Sequence, residues 1–223
     1  MYSKTIICFA NSRKISGRCV AGRELLNNAI GPWIRPVSAR PAGEVSEEDR
    51  RYLDGTDPVL LDVIAVPMLE PKPHGYQVEN HLIAPDEHWV KQGRATPEQV
   101  LASLDAAGPL WENLSSGSNG INDRVEEGRA NALGSSLKLI EVSDLRVQVA
   151  VEGEFFGNGK RKVRARFSYA QAQYLLAVTD PVMERAYLKG QNGEFNVGKA
   201  VLCVSLGEPY KGFAYKLVAA ILL

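Results

Sequence analysis

Arginine and lysine gather at places in this chain where they could grip phosphate. Ser12-Arg13-Lys14 lies in a polar stretch near the start, followed by Arg18 and Arg23, with Trp33 and Arg35 a little further on. Residues 1–40 hold seven Lys/Arg and one acid, Glu24. In the second half Lys160, Arg161, Lys162, Arg164 and Arg166 crowd into seven positions. Guanidinium and ammonium groups satisfy phosphate oxygens, and arginine can do so with a two-pronged fork. Trp33, Tyr76, Tyr174 and Tyr210 offer faces on which bases could stack. A third group, Asn122-Asp123-Arg124, joins side chains able to read base edges or ribose hydroxyls to one able to hold phosphate.

Each group also has a plainer reading. Lys162, Arg164 and Arg166 would form the solvated side of a half-buried hairpin, facing Glu152 or Glu154, where exposed ion pairs contribute little. Asn122 and Asp123 would equally suit a turn in which they bond their own backbone.

Signals for catalysis and metal binding are weak. The chain lacks Gly-x-x-x-x-Gly-Lys-Ser/Thr, Gly-x-Ser-x-Gly and His-Glu-x-x-His. His74, His81 and His88 recur every seven residues in a Pro/Gly-broken region, which is no helical ligand spacing. Cys8, Cys19 and Cys203 are far apart and lack a Cys-x-x-Cys pair, so they read as reduced thiols. We therefore expect no metal and no cofactor. His81, with Asp123 or Glu208, would be the acid/base set of an enzyme acting on a nucleotide or modified nucleic acid. That is one rival reading; a protein-interaction module without a small ligand is another.

Composition narrows the field further. The 223 residues are 45% apolar and 23% charged, the balance of a folded globular chain. Lys+Arg and Asp+Glu are equal at 26. The whole molecule therefore does not attract polyanions, and any such binding needs a local basic surface. No run approaches the length of a membrane span or a signal-peptide core, so the expectation is a cytoplasmic protein without membrane attachment.

The elements that would position these residues are mostly strands. Thr5–Ala10, Arg18–Leu25 and Trp33–Val37 read as three strands, with Asn11–Gly17 as a loop. Ser46 and Asp49 form a capping box opening a helix that Asp54-Gly55 would stop. Val59–Val66 and Tyr76–Ile83 follow as strands. The second half repeats this order. Leu145–Val151 alternates apolar and polar residues, Gly157-Asn158-Gly159 turns, and Lys160–Phe167 returns. Tyr174–Val178 comes third, a helix opens at Asp180-Pro181, and Ala200–Leu206 and Phe213–Leu222 end the chain. Three strands, a helix and two strands is OB-fold connectivity, here written twice. Between the halves, Thr96-Pro97-Glu98-Gln99 starts a helix, Ser115–Arg124 is a loop, and Val125–Ala132 suits a short helix.

Several short motifs resemble the dual OB-containing domain family of prokaryotic proteins. They are Ala-Asn-Ser-Arg-Lys with Cys8, Gly17-Arg18-Cys19, Trp33-Ile34-Arg35-Pro36-Val37-Ser38 and Glu79-Asn80-His81. Asn122-Asp123-Arg124, Val178-Thr179-Asp180-Pro181, Cys203–Pro209 and Tyr215-Lys216-Leu217 continue the likeness over essentially the whole chain. The resemblance implies two OB-like barrels, a nucleic-acid or nucleotide-binding role, and a setting in prokaryotic defence, which leaves room for an operon-encoded protein partner. It supplies no catalytic residues.

The combined expectation is a mainly β chain with a short helix in each half. One barrel would occupy residues 1–85, a helical connector 86–136 and a second barrel 137–223. Its ligand would be nucleic acid or nucleotide, DNA or RNA. The expected binding residues are Ser12, Arg13, Lys14, Arg18, Trp33, Arg35, Asn122, Asp123, Arg124, Arg164 and Arg166.

Overall fold

Alternating β-branched and aromatic residues between turn residues drive this chain into strands. A computed structural model describes residues 1–27, 29–153 and 157–223. They are mainly β, in two six-stranded sheets with four short helices. Two compact units share the chain: Met1–Leu104 with Gly134–Ser136, and Asp105–Leu133 with Leu137–Leu223.

The first unit holds β1 (Tyr2–Lys14), β2 (Gly17–Leu26), β3 (Ala29–Val37), α1 (Glu47–Arg50), β4 (Asp62–Pro71), β5 (Asn80–Ile83), β6 (Val90–Arg94) and α2 (Pro97–Ala102). Its strands run β1-β2-β3-β5-β4, and a β1–β4 pairing closes the barrel. The β3–β5 pair is parallel. Ile6, Cys8, Val20, Ile34, Ile64, Val66, Met68 and Trp89 fill the interior. Closure brings backbones close together: a Cβ on Gly22 would stand 2.1 Å from the Ile7 carbonyl oxygen.

The second unit repeats the plan with β8 (Leu137–Glu152), β9 (Lys160–Tyr169), β10 (Ala172–Val178), α4 (Pro181–Leu188), β11 (Gly193–Leu206) and β12 (Phe213–Leu222), preceded by β7 (Arg124–Glu126) and α3 (Glu127–Ala130). Order β10-β9-β8-β11-β12 closes through a parallel β10–β12 pair. Val147, Val149, Val163, Ala165, Phe167, Tyr174, Leu176 and Leu202 form its core. Each unit is thus a five-stranded OB-like barrel with its helix after the third strand and one extra strand, β6 on β4 and β7 on β12.

Several expected boundaries shift, each for a local reason. Asn11–Lys14 is no loop: β1 continues to Lys14 and turns through Ile15-Ser16 into β2, with Lys14 opposite Gly17. Helix α1 stops at Arg50, because Arg51 is extended and Asp54 folds a turn onto Thr56 instead of capping. Leu61, at φ +72°, breaks the chain before β4. The stretch 86–136 is shared out: β6 and α2 belong to the first unit, while residues 105–133 belong to the second, where Leu110 is fully buried. The end of the polar loop, from Arg124, becomes β7 by pairing with Phe213–Tyr215.

Among the described residues, no helix is long and apolar enough to cross a membrane.

Candidate functional site

OB folds take ligands on the outer face of their second and third strands, which are β9 and β10 in the second unit. Val163, Ala165 and Phe167 point inward, so Lys162, Arg164 and Arg166 point out. Their surroundings differ. Arg164 forks onto Glu152, with Nε–Oε1 at 2.6 Å and Nη2–Oε2 at 3.1 Å, and its Nη1 lies 3.8 Å from Asp123 Oδ2. Arg166 meets Glu194 at 3.3 Å, a carboxylate that Arg146 also uses. Lys162 is exposed and pairs with no carboxylate among the described residues. Glu154, the other acid expected here, lies outside the described residues.

The polar loop before β7 runs along the edge of β10 and reaches Arg164 on this face. Ile121 and Leu175 exchange both backbone hydrogen bonds, at 3.3 and 3.1 Å. Asn122 adopts φ +49°, and its Nδ2 donates to the Gln173 carbonyl at 3.0 Å, so it anchors the loop. Asp123 is buried, its Oδ1 accepting the Gly117 N–H at 2.5 Å and its carbonyl accepting the Lys216 N–H at 2.8 Å. Gly120 is required for this packing, since a Cβ there would stand 1.9 Å from Asp123 Oδ2. Arg124 donates from Nε to Ser115 Oγ at 2.8 Å, and its guanidinium lies 3.9 Å from the Phe213 ring centroid.

Beneath the loop, Lys216 is 1% exposed. Its Nζ donates to the Glu112 carbonyl at 2.6 Å and to Asn113 Oδ1 at 3.2 Å. Burial pulls its pKa down to about 8, against the opposing pull of Asp123 and Glu112. Tyr174 OH also donates to Asn113 Oδ1, at 2.8 Å. The sequence carries a signal for Lys216: it is the one charge in the apolar run Phe213–Leu222.

The arching loop leaves an opening on each side. One, of about 370 Å³, is lined by Gln148, Ala150, Glu152, Lys162, Ile121 and Leu175. The other, of about 340 Å³, is lined by Asp123, Arg124, Ala177, Tyr215 and Lys216. Both reach Arg164, Ser118 and Asn119. Lys162, Arg164, Arg124 and Lys216 against Glu152 and Asp123 make four cations to two carboxylates, an excess that favours an anionic ligand.

A model of the dual OB-containing domain family matches residues 4–221. The chain belongs to that family. No curated protein and no solved structure matched the chain in comparison. The family assignment agrees with both barrels and makes the chain an OB-type binding module without naming its ligand.

In the first barrel of this family member the expected binding residues are placed differently. Arg13 stands opposite Arg18 near the tip of the β1–β2 hairpin, so these two cations share a face, while Lys14, opposite Gly17, projects to the other side. Ser12 is buried. Trp33 is 7% exposed, edge-on to Phe9 and capped by the Arg23 guanidinium at 4.9 Å from the ring centroid, so its faces are not open to a base. Arg35 is 2% exposed. It donates to Ser136 Oγ at 2.8 Å and lies 3.1 Å from Glu79 Oε1, which rules out the expected grip on phosphate. Both residues flank the core residue Ile34 and project outward, yet they are covered. Tyr76 and Tyr174 are also buried and cannot stack on a ligand, whereas Tyr210 is exposed with Lys211 Nζ 5.4 Å from its ring centroid. His81 Nδ1 lies 2.6 Å from Tyr2 OH, and burial with nearby Lys4 lowers its pKa against the pull of Glu24. Among the described residues no three His, Cys, Asp or Glu side chains converge as a metal would need.

Proposed function

We propose that the second barrel binds a phosphate-bearing ligand of nucleotide chemistry, free or within a single strand, on the outer face of β9 and β10. One observation carries this reading: the basic row of β9 and the Ser115–Arg124 loop converge on Arg164, and two openings meet there. That face is where OB folds receive oligonucleotides. Lys162 is the cation poised to meet phosphate, because Arg164 and Arg166 are already paired with carboxylates.

Fluorescence anisotropy with a labelled nucleotide and a labelled single strand, each across a salt series, tests the proposal. Lys162→Glu should abolish binding of whichever probe the parent protein binds, with an unchanged melting temperature. For a strand, each lost phosphate contact should flatten the slope of log affinity against log salt by about 0.7. Failure of both probes to bind the parent protein would remove the proposal.

A further inference from the structure

We infer that the site on the second barrel takes a free nucleotide and excludes a through-running strand, an inference that rests on the nucleotide reading above. The loop decides the matter. The loop is pinned along the edge of β10, where Ile121 and Leu175 exchange two backbone hydrogen bonds and Asn122 holds the Gln173 carbonyl, and from that edge Ser118, Asn119 and the Asp123 carboxylate reach Arg164 on the outer face. A polymer crossing the outer face of β9 and β10 would have to displace them. Gly120 and Gly117 wrap the buried Asp123 carboxylate, which fixes the loop from within.

What stays open on the β8 side of that bridge is the cavity of about 370 Å³, the small end of the range for small-molecule sites. Its walls sort by chemistry. Ile121, Ala150 and Leu175 give apolar surface for a base. Lys162, exposed and without a carboxylate partner among the described residues, stands at the rim for phosphate. Gln148 projects outward between the core residues Val147 and Val149, and its Oε1 is buried without a hydrogen-bond partner. A buried acceptor left unmatched costs free energy, and a nucleobase N–H is the donor that would satisfy it. Arg164, clamped by Glu152, is a fixed wall and not a mobile phosphate arm.

The test is calorimetric titration of the full chain with ATP, GTP, CTP and UTP, and with a circular single-stranded DNA that has no end to insert. At least one nucleotide should bind, and the circle should fail to displace it. Lys162→Ala should weaken that nucleotide about tenfold, the worth of one charge-assisted contact. Gln148→Leu, which removes that unmatched acceptor and so should not lower the melting temperature, should weaken it and alter the order of preference among the four bases. If the circle binds and no nucleotide does, this inference falls while the wider reading survives. If nucleotides and circle both fail, the two fall together. If a nucleotide binds but both variants match the parent, the assigned cavity is wrong and the inference is overturned.

Discussion

The Arg35 guanidinium lies 3.1 Å from Glu79 Oε1, with both side chains at most 3% exposed. Ser136 joins them, donating to Glu79 and accepting from Arg35, and so ties Gly134–Ser136 into the first unit. The pair is imperfectly satisfied, since Arg35 Nε and Glu79 Oε2 are buried without hydrogen-bond partners. Burying two charges is expensive, and breaking such a pair costs more than replacing it whole. Glu79→Leu should therefore destabilise the protein by about 3–5 kcal/mol. Adding Arg35→Met should recover most of that loss. Urea unfolding of the single and double variants checks this. A double variant no more stable than Glu79→Leu alone would show that the pair's value lies in its hydrogen bonds to Ser136 and in the one that Arg35 Nη1 donates to Asn80 Oδ1 at 3.4 Å.

Gly120 supplies the space that Asp123 occupies, so Gly120→Ala should unseat the loop. Forcing a methyl group into a packed site costs about 1–3 kcal/mol. The more telling readout is proteolysis: the parent should resist cleavage within 115–124, and the variant should be cut there first. Gly128→Ala is the matched control, because a Cβ at Gly128 meets nothing within 4 Å. Equal cleavage rates in parent and Gly120→Ala would mean that the packing around Asp123 does not hold the loop.

The three thiols should differ sharply in reactivity. Cys8 and Cys203 are buried and Cys19 is partly exposed. Burial first, and then Asp62, push the Cys8 thiol up to about 12, with a backbone hydrogen bond at Ala10 pulling the other way. A thiol must ionise to react, so Cys8 is doubly protected at pH 8. Iodoacetamide should add at most one group to the native protein, at Cys19, and three after denaturation. Intact-mass spectrometry counts them, and alkylated Cys8 in folded protein would contradict the buried placement.

Local signals in the sequence were readable where the physics was local. The Ser46/Asp49 and Thr96/Gln99 capping boxes both form, and Asp180 caps α4 by accepting from Val182 and Met183. Strand β12 runs from Phe213 to Leu222 as its apolar run indicates. The site was harder to read because its geometry depends on residues distant in sequence. Trp33 and Arg35 lie on the outward side of β3, where alternation alone predicts access, yet Ser136, 101 residues beyond Arg35, helps cover that face. Asn122 and Asp123 look like ligand groups until Gln173 and Gly117 claim them. Charge and strand period single out Arg164, but its fork to Glu152 depends on the β8–β9 register, which places the two residues on one face.

Lys216 makes the sharpest forecast about pH. Its pKa falls from the ordinary 10.5 to about 8 in the fold, chiefly because burial penalises the charged amine. Below pH 8 the folded and unfolded chains both carry the proton, and the full penalty acts. Between pH 8 and 10.5 the unfolded chain holds more protons than the folded one, so stability rises with pH across that window. The rise attributable to this residue is on the order of 2–3 kcal/mol. Tyr2, Tyr52, Tyr169 and Tyr187, whose pKa values are raised by burial, pull the other way at the alkaline end. A difference measurement is therefore needed. Lys216→Met leaves the Glu112 carbonyl and Asn113 Oδ1 without their donor, a cost that does not vary with pH. Urea unfolding of parent and variant from pH 6.5 to 10 should give a stability difference that is flat below pH 8 and then grows in the parent's favour. A difference that stays level to pH 10 would place the Lys216 amine in solvent, and the second opening would lose its buried cation.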